Sequence, residues 1–253
     1  MTRFLLFLTI CITAVPTAGA GEPDQPVSPL WLYLPAGLGV GYLMAEGDRD
    51  IAHFFHNHRD TGIEDVGKTL TRSGDGKVIL GVVGLTYGIG YFSEDSKMKE
   101  TATLGAESLV ISGVITETLK HGTGRQRPNY ADGEDRWNGP RYFFRLDDKS
   151  FDSFPSGHAT AAFALATTLA MHYPDGWVPP IAYTWAVGVT ISRIYNEVHW
   201  TSDVLVGSAI GYFTARAVSY YHQRTGGGII LIPRIISIEG TNTLGLTLSL
   251  PLP

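Results

Sequence analysis

Cysteine is nearly absent from this chain, and so is any dense run of basic residues. The single cysteine, Cys11, sits in an apolar N-terminal segment. The rest of the chain therefore offers neither a disulfide framework nor a thiolate metal site. Net charge is −5, and the lysines and arginines are dispersed. Affinity for nucleic acid comes mostly from neutralising phosphates over a wide surface, so a nucleic-acid binder is not expected. No internal repeat is evident. Apolar runs such as Leu30 to Ala45 and Lys77 to Phe92 fall short of the roughly 20 residues a helix needs to cross a bilayer. Other candidate helices carry Glu, Thr, Ser and His. Length and polarity together favour a soluble or peripherally attached domain over a membrane-spanning one.

What is present suits one sizeable globular domain: 44% of residues are hydrophobic and 11% aromatic. Residues 1–20 read as a secretory signal. Arg3 supplies the positive start, Phe4 to Val15 the apolar core and Ala18-Gly19-Ala20 a small-residue cleavage site. Ile10 before Cys11 is too large for a lipoprotein cleavage site. The expected location is the cell envelope, outside the cytoplasm, soluble or associated with the membrane. A Pro-rich linker, 21–29, follows.

Residues 30–225 read as a helical domain with six main helices: Leu30 to Ala45, Lys77 to Phe92, Met98 to Lys120, His158 to Tyr173, Pro179 to Tyr195 and Thr201 to Gln223. The polar stretch Glu46 to Gly76 suits one or two short amphipathic helices. Gly122 to Phe154 reads as a long loop without secondary structure, and such loops are usually functional. After Gly226-Gly227-Gly228 the pattern turns β-rich, and a hairpin is expected within 226–253.

Three short stretches concentrate the chemistry: Lys120 to Pro128 (KHGTGRQRP), Pro155-Ser156-Gly157-His158, and Ser192 to Asp203 (SRIYNEVHWTSD). Singly, their residues have ordinary explanations. Lys120 complements a helix C-terminus. Arg127 is a loop cation, and Ser156 and Asp203 are helix caps. Together Lys120, Arg127 and Arg193, His158 and His199, and Asp203 supply three cations, two histidines and a carboxylate. Arginine offers a planar fork to phosphate oxygens and lysine a point charge. Free amides at a helix start favour anions, and Gly157 lets backbone approach a ligand. His158 suits a general acid. Asp203, four residues after His199, is placed to accept a hydrogen bond from one ring nitrogen, leaving the other as a nucleophile.

The ordered pattern Lys-x6-Arg-Pro, Pro-Ser-Gly-His and Ser-Arg-x5-His-x3-Asp resembles the type 2 phosphatidic acid phosphatase superfamily. The resemblance spans Lys120 to Asp203. It implies an all-α, six-helix bundle, here with a small C-terminal β-hairpin extension. It also implies a metal-independent phosphatase working through a phosphohistidine on His199, oriented by Asp203. His158 would be the acid, and Lys120, Arg127, Ser156, Gly157 and Arg193 would hold the phosphate. No cofactor is implied. The substrate class is a phosphorylated lipid, such as phosphatidate, phosphatidylglycerol phosphate, a polyprenyl diphosphate or lipid A. Two other readings stay open: a secreted acid phosphatase on soluble monoesters, and a vanadium haloperoxidase with vanadate bound at His199. A silent phospholipid-binding protein is the non-enzymatic alternative.

Elsewhere, His53, His56 and His58 lie close in sequence. With no accompanying carboxylate or cysteine pattern they read as a solvated helix face rather than a metal site. His121 is placed to line the pocket. Tyr130, Trp137, Tyr142, Phe143 and Phe144 either line an acyl-chain groove or pack the long loop down.

Overall fold

The computed structural model of the protein describes residues 47–58, 61–131, 135–140 and 149–225, and the backbone of 230–238 and 241–249. The signal segment, the linker, the first expected helix (Leu30 to Ala45) and Tyr142, Phe143 and Phe144 lie outside the described residues. Those residues carry seven α-helices: α1 (Asp48–Asn57), α2 (Thr61–Ser73), α3 (Gly76–Phe92), α4 (Ser96–Thr123), α5 (Gly157–His172), α6 (Val178–Tyr195) and α7 (Thr201–Thr225). Five of them, α3 to α7, answer to expected main helices, and α1 and α2 come from the polar stretch 46–76, expected to hold one or two short helices. Their polar sequence does not prevent helix formation, because α1 docks an apolar edge: Ile51 and Phe55 pack on buried Ile194 and Val204. The strands β1 (Ile230–Ile238) and β2 (Thr241–Ser249) pair antiparallel, Ile230 opposite Ser249.

Local signals set the helix limits. Asp75 caps α3 by accepting the Lys77 N–H at 2.9 Å, and Asp95 caps α4 through Met98 N–H at 2.9 Å. α4 stops at Gly124, which adopts the left-handed conformation (φ 54°) and donates its N–H to Lys120 O at 2.9 Å. A Pro-containing first turn opens α6.

Short connections join α3 to α4, α5 to α6 and α6 to α7 as antiparallel neighbours, while the long segment 124–156 links α4 to α5. As a result the start of α3, the end of α4, the start of α5, the end of α6 and the start of α7 meet at one end. Small residues make this packing tight. The core joins Ala162, Ala166, Ala182, Ala186 and Val189 between α5 and α6. Ile79, Val83, Ala102 and Ala161 join α3, α4 and α5. Closest of all are α5 and α7. A Cβ on Gly211 would stand 2.2 Å from Thr160 O, and one on Gly207 2.5 Å from Ser156 O. Only glycine permits that approach.

The loop expected to lack structure is in fact tied down. Arg125 bridges Trp137, and 3₁₀ turns form at Pro128–Tyr130 and Lys149–Phe151. The cause is a buried charge cluster, described next.

Candidate active site

Each expected site residue sits at the common end of the helices. Lys120 lies in the last turn of α4, with Nζ 3.3 Å from Glu117 Oε1. A Cβ on Gly157 would come 3.6 Å from that same Nζ, so Gly157 fronts the lysine directly. Ser156 caps α5, though its oxygen is 3.5 Å from Ala159 N–H, a weak cap. Its own N–H donates to Asp203 O at 3.0 Å, which couples the start of α5 to the start of α7. Arg127 is steered by Asp152, Nε to Oδ1 at 2.5 Å. Arg193, in the last turn of α6, is buried, and its Nε has no hydrogen-bond partner. A buried, unpartnered guanidinium N–H is costly unless a ligand takes it.

His199 is 3% exposed. Its Nδ1 lies 2.7 Å from Ser153 O and 3.7 Å from Asp203 Oδ2. The structure therefore corrects one expectation: the carboxylate is a charge contact, and the hydrogen bond goes to the Ser153 carbonyl. A carbonyl oxygen only accepts, so Nδ1 carries the proton. Nε2 is then the nitrogen with the free lone pair. Asp203 is occupied elsewhere. It accepts from Arg125 Nη1 at 2.6 Å, Ser153 Oγ at 2.5 Å and Trp200 N–H at 2.8 Å.

These bonds lead to residues that sequence reasoning missed. Arg125 is wholly buried and serves three carboxylates. It grips Asp135 through Nε and Nη2 (2.8 and 2.6 Å), Asp203 through Nη1, and Asp48 through Nη2 at 2.7 Å. Trp137 and Trp200 cover it, with ring centroids 4.7 and 5.3 Å from Cζ. Trp137 thus packs the loop onto the charge cluster, and Trp200 adds a hydrogen bond from its indole N–H to Gln126 O at 2.8 Å. Asp48, from α1, also accepts the Ser202 N–H at 2.8 Å and the Ser202 hydroxyl. Arg125 stands two residues before Arg127, inside the first motif stretch. Nothing local distinguishes it, because its partners are far away in sequence.

The electrostatics are lopsided. Burial first, then the cations Arg193 and Arg127, push His199 down to about 4, with Asp203 opposing. Burial, Arg193, His199 and Lys120 push His158 down to about 3, against Asp75. Burial and Arg127 lower Arg193 to about 10. Burial favours a protonated Asp203, but Arg125, His199 and Ser153 outweigh it and hold the carboxyl below its usual range. Asp48 goes the other way: burial raises it despite Ser202 and Arg125, since one guanidinium cannot fully neutralise three carboxylates. Arg127 and Arg193 thus repel each other and disfavour a proton on His199. A bound anion relieves that repulsion.

Among the described residues, no group of three or more His, Cys, Asp or Glu side chains is arranged to hold a metal ion. His56 instead pairs with Glu197 at 2.7 Å, and His58 Nδ1 donates to Phe54 O at 2.9 Å.

The family model described as PAP2 superfamily matches residues 102–226. A lipid A 1-phosphatase from Porphyromonas gingivalis is 32% identical over 126 residues, covering 49% of this chain and 24% of that protein. The chain thus spans about a quarter of that relative. A decaprenylphosphoryl-5-phosphoribose phosphatase from Mycobacterium tuberculosis is 32% identical over 144 residues, covering 55% of this chain and 69% of that protein. Among solved structures, the transmembrane PAP2 type phosphatidylglycerolphosphate phosphatase from Bacillus subtilis superposes with a TM-score of 0.57. It covers 77% of this chain and 94% of that one at 23% identity, a likeness of fold.

Proposed function

The chain belongs to the PAP2 superfamily, and from that premise we propose that it is a metal-independent phosphatase of lipid or polyprenyl phosphates in the bacterial envelope. The observation that carries the reading is the buried His199 ring, its proton fixed on Nδ1, beside the cations Arg127 and Arg193, the latter buried with an unpartnered Nε.

The proposed chemistry follows from the placement. His199 Nε2 attacks phosphorus in line with the leaving oxygen. Lys120, Arg127, Arg193 and the amides at the start of α5, by Ser156 and Gly157, hold the equatorial oxygens as charge shifts. His158 gives a proton to the leaving alcohol. Asp203 stabilises the positive charge that forms on the His199 ring while Ser153 keeps its orientation. Water then attacks the phosphohistidine, with His158 taking the proton. Fixed cations supply the neutralisation a metal would otherwise bring, so no cofactor is required.

The choice of a lipid-linked substrate draws on the names of the relatives and on surface composition. No helix among the described residues is long and apolar enough to cross a membrane. Yet α3 exposes Leu80, Leu85, Tyr91 and Phe92 at 50–87%, and α6 exposes Ile181 at 64% beside Trp177 at 79%. Apolar faces of this extent suit contact with lipid. The paired strands β1 and β2 would be a small extension of this helical domain.

The test is phosphate release in EDTA from lipid and soluble phosphates, by wild type and His199→Ala. Release from lipid phosphates that disappears in the variant is the expected result. Release confined to soluble monoesters would replace the lipid assignment with an acid phosphatase. Bromide oxidation on adding vanadate, without phosphate release, would move the protein to the haloperoxidases.

A further inference from the structure

Asp75 has two roles in this fold, and one of them faces the site. Its Oδ1 caps α3 through the Lys77 N–H at 2.9 Å. Its Oδ2 lies 3.9 Å from His158 Nε2. The other groups acting on that ring are positive or become so on protonation: Lys120 from α4, Arg193 from α6 and His199 from the turn before α7. The neighbouring carboxylates Glu117 and Asp152 are turned to Lys120 and Arg127. Asp203 is held by Arg125 on the far side of His199.

A leaving-group acid must carry a proton when the P–O bond breaks. At His158 burial, the cations Arg193 and Lys120, and any protonation of His199 oppose that proton. Among the described residues, Asp75 is the carboxylate that favours it. We propose that Asp75 is a positioning residue for the leaving-group acid. Capping fixes one carboxylate oxygen, and the fixed geometry presents the other to the Nε2 edge of His158. This inference rests on the reading of His158 as the acid.

The proton count closes. The imidazolium of His158 gives one proton to the leaving oxygen as the P–O bond breaks, and becomes neutral. In the second half it takes one proton from the attacking water as the N–P bond to His199 breaks. Asp75 stays ionised throughout and, with the phosphate group bound, stabilises the imidazolium before the first step and after the second. A separation of 3.9 Å is a charge contact. Catalytic contacts of this kind commonly shorten once substrate is bound.

The double role gives a clean experiment, because asparagine caps helices about as well as aspartate. Asp75→Asn keeps the α3 cap and removes the charge. The full chain is assayed on a hexyl phosphate, whose alkoxide needs a proton to leave, and on p-nitrophenyl phosphate, whose phenolate scarcely does. His158→Ala and Asp75→Glu are run alongside. General acids contribute about 10²–10⁴-fold, and loss of a supporting charge should remove part of that, about tenfold in kcat on hexyl phosphate. KM should change little, the loss on p-nitrophenyl phosphate should be much smaller, and Asp75→Glu should restore part of the rate. The basic limb of the kcat profile should move to lower pH in Asp75→Asn. If His158→Ala shows the leaving-group bias but Asp75→Asn slows both substrates equally, or neither, Asp75 is a helix cap alone and the proposal is wrong. If His158→Ala itself shows no bias, the acid reading fails and the proposal fails with it. Unchanged thermal melting of Asp75→Asn confirms that the cap has survived.

Discussion

Arg125 Nη1 and Asp203 Oδ1 are 2.6 Å apart, and neither side chain has measurable contact with solvent. The pair joins the first motif stretch to the last through the protein interior. Removing one partner of such a pair leaves the other charged and dry, which typically costs about 3–5 kcal/mol. Arg125→Met should lose stability in that range, read as a lower denaturant midpoint. A variant as stable as wild type would show that the pair does not hold the loop.

The hydrogen bond from His199 Nδ1 to Ser153 O sets a second expectation. Where a carboxylate alone fixes the tautomer, its amide variant loses roughly 10⁴-fold in kcat. Here a backbone carbonyl keeps the proton on Nδ1 in the Asp203→Asn variant as well. Its kcat should therefore fall far less than that of His199→Ala, with KM nearly unchanged. Equal losses in the two variants would return the orienting role to Asp203.

Stability should depend on pH in a direction fixed by the two histidines. In the fold His199 lies near 4 and His158 near 3, both below the ordinary 6.5. The unfolded chain therefore binds more protons as pH falls below that ordinary value, and stability drops along the way. The depressed Asp203 acts in the same sense at lower pH. The expected loss is on the order of a few kcal/mol between neutral pH and pH 4. Orthophosphate should blunt it, because a bound anion favours the protonated rings. Melting temperatures across that range, with and without phosphate, make the check. A flat profile would mean the rings are not held neutral.

Glycine supplies a fourth prediction. Gly211→Ala drives a methyl group against Thr160 O, where a Cβ would stand 2.2 Å away. Overpacking of this kind costs about 1–3 kcal/mol. Gly113→Ala, in mid-α4 with open space around it, should instead be neutral or slightly stabilising. The two melting curves, compared side by side, separate steric contact from helix propensity.

Much of the domain could be read before any coordinates. The longer helices α3 to α7 follow from apolar runs bounded by caps and Gly or Pro signals. Lys120, Arg127, Gly157, His158, Arg193 and His199, grouped in the sequence through the family resemblance, lie together in the structure. What escaped was long-range. A sequence shows that Asp203 follows His199 by four residues, the spacing of one helical turn. It does not show that Ser153 O, 46 residues upstream, would take the ring proton. Nor does it show that Arg125 would draw in Asp48, 77 residues away, and so order a loop that reads as irregular. Asp75 likewise acquires its second role only once α5 is placed beside it.

Asp48 also bears on where the working unit begins. The family match starts at residue 102, yet Asp48 and Asp75 both reach groups of the site from before it. A gene trimmed to the matched segment would lose the α1 carboxylate that shares Arg125 and the Ser202 hydroxyl, along with α3 and the Asp75 that caps it. The smallest piece fit for grafting, or for tracing descent among relatives of different lengths, therefore has to start upstream of Asp48. Alignments cut at the family boundary would discard the portion of the chain that sets the charge balance of the rest.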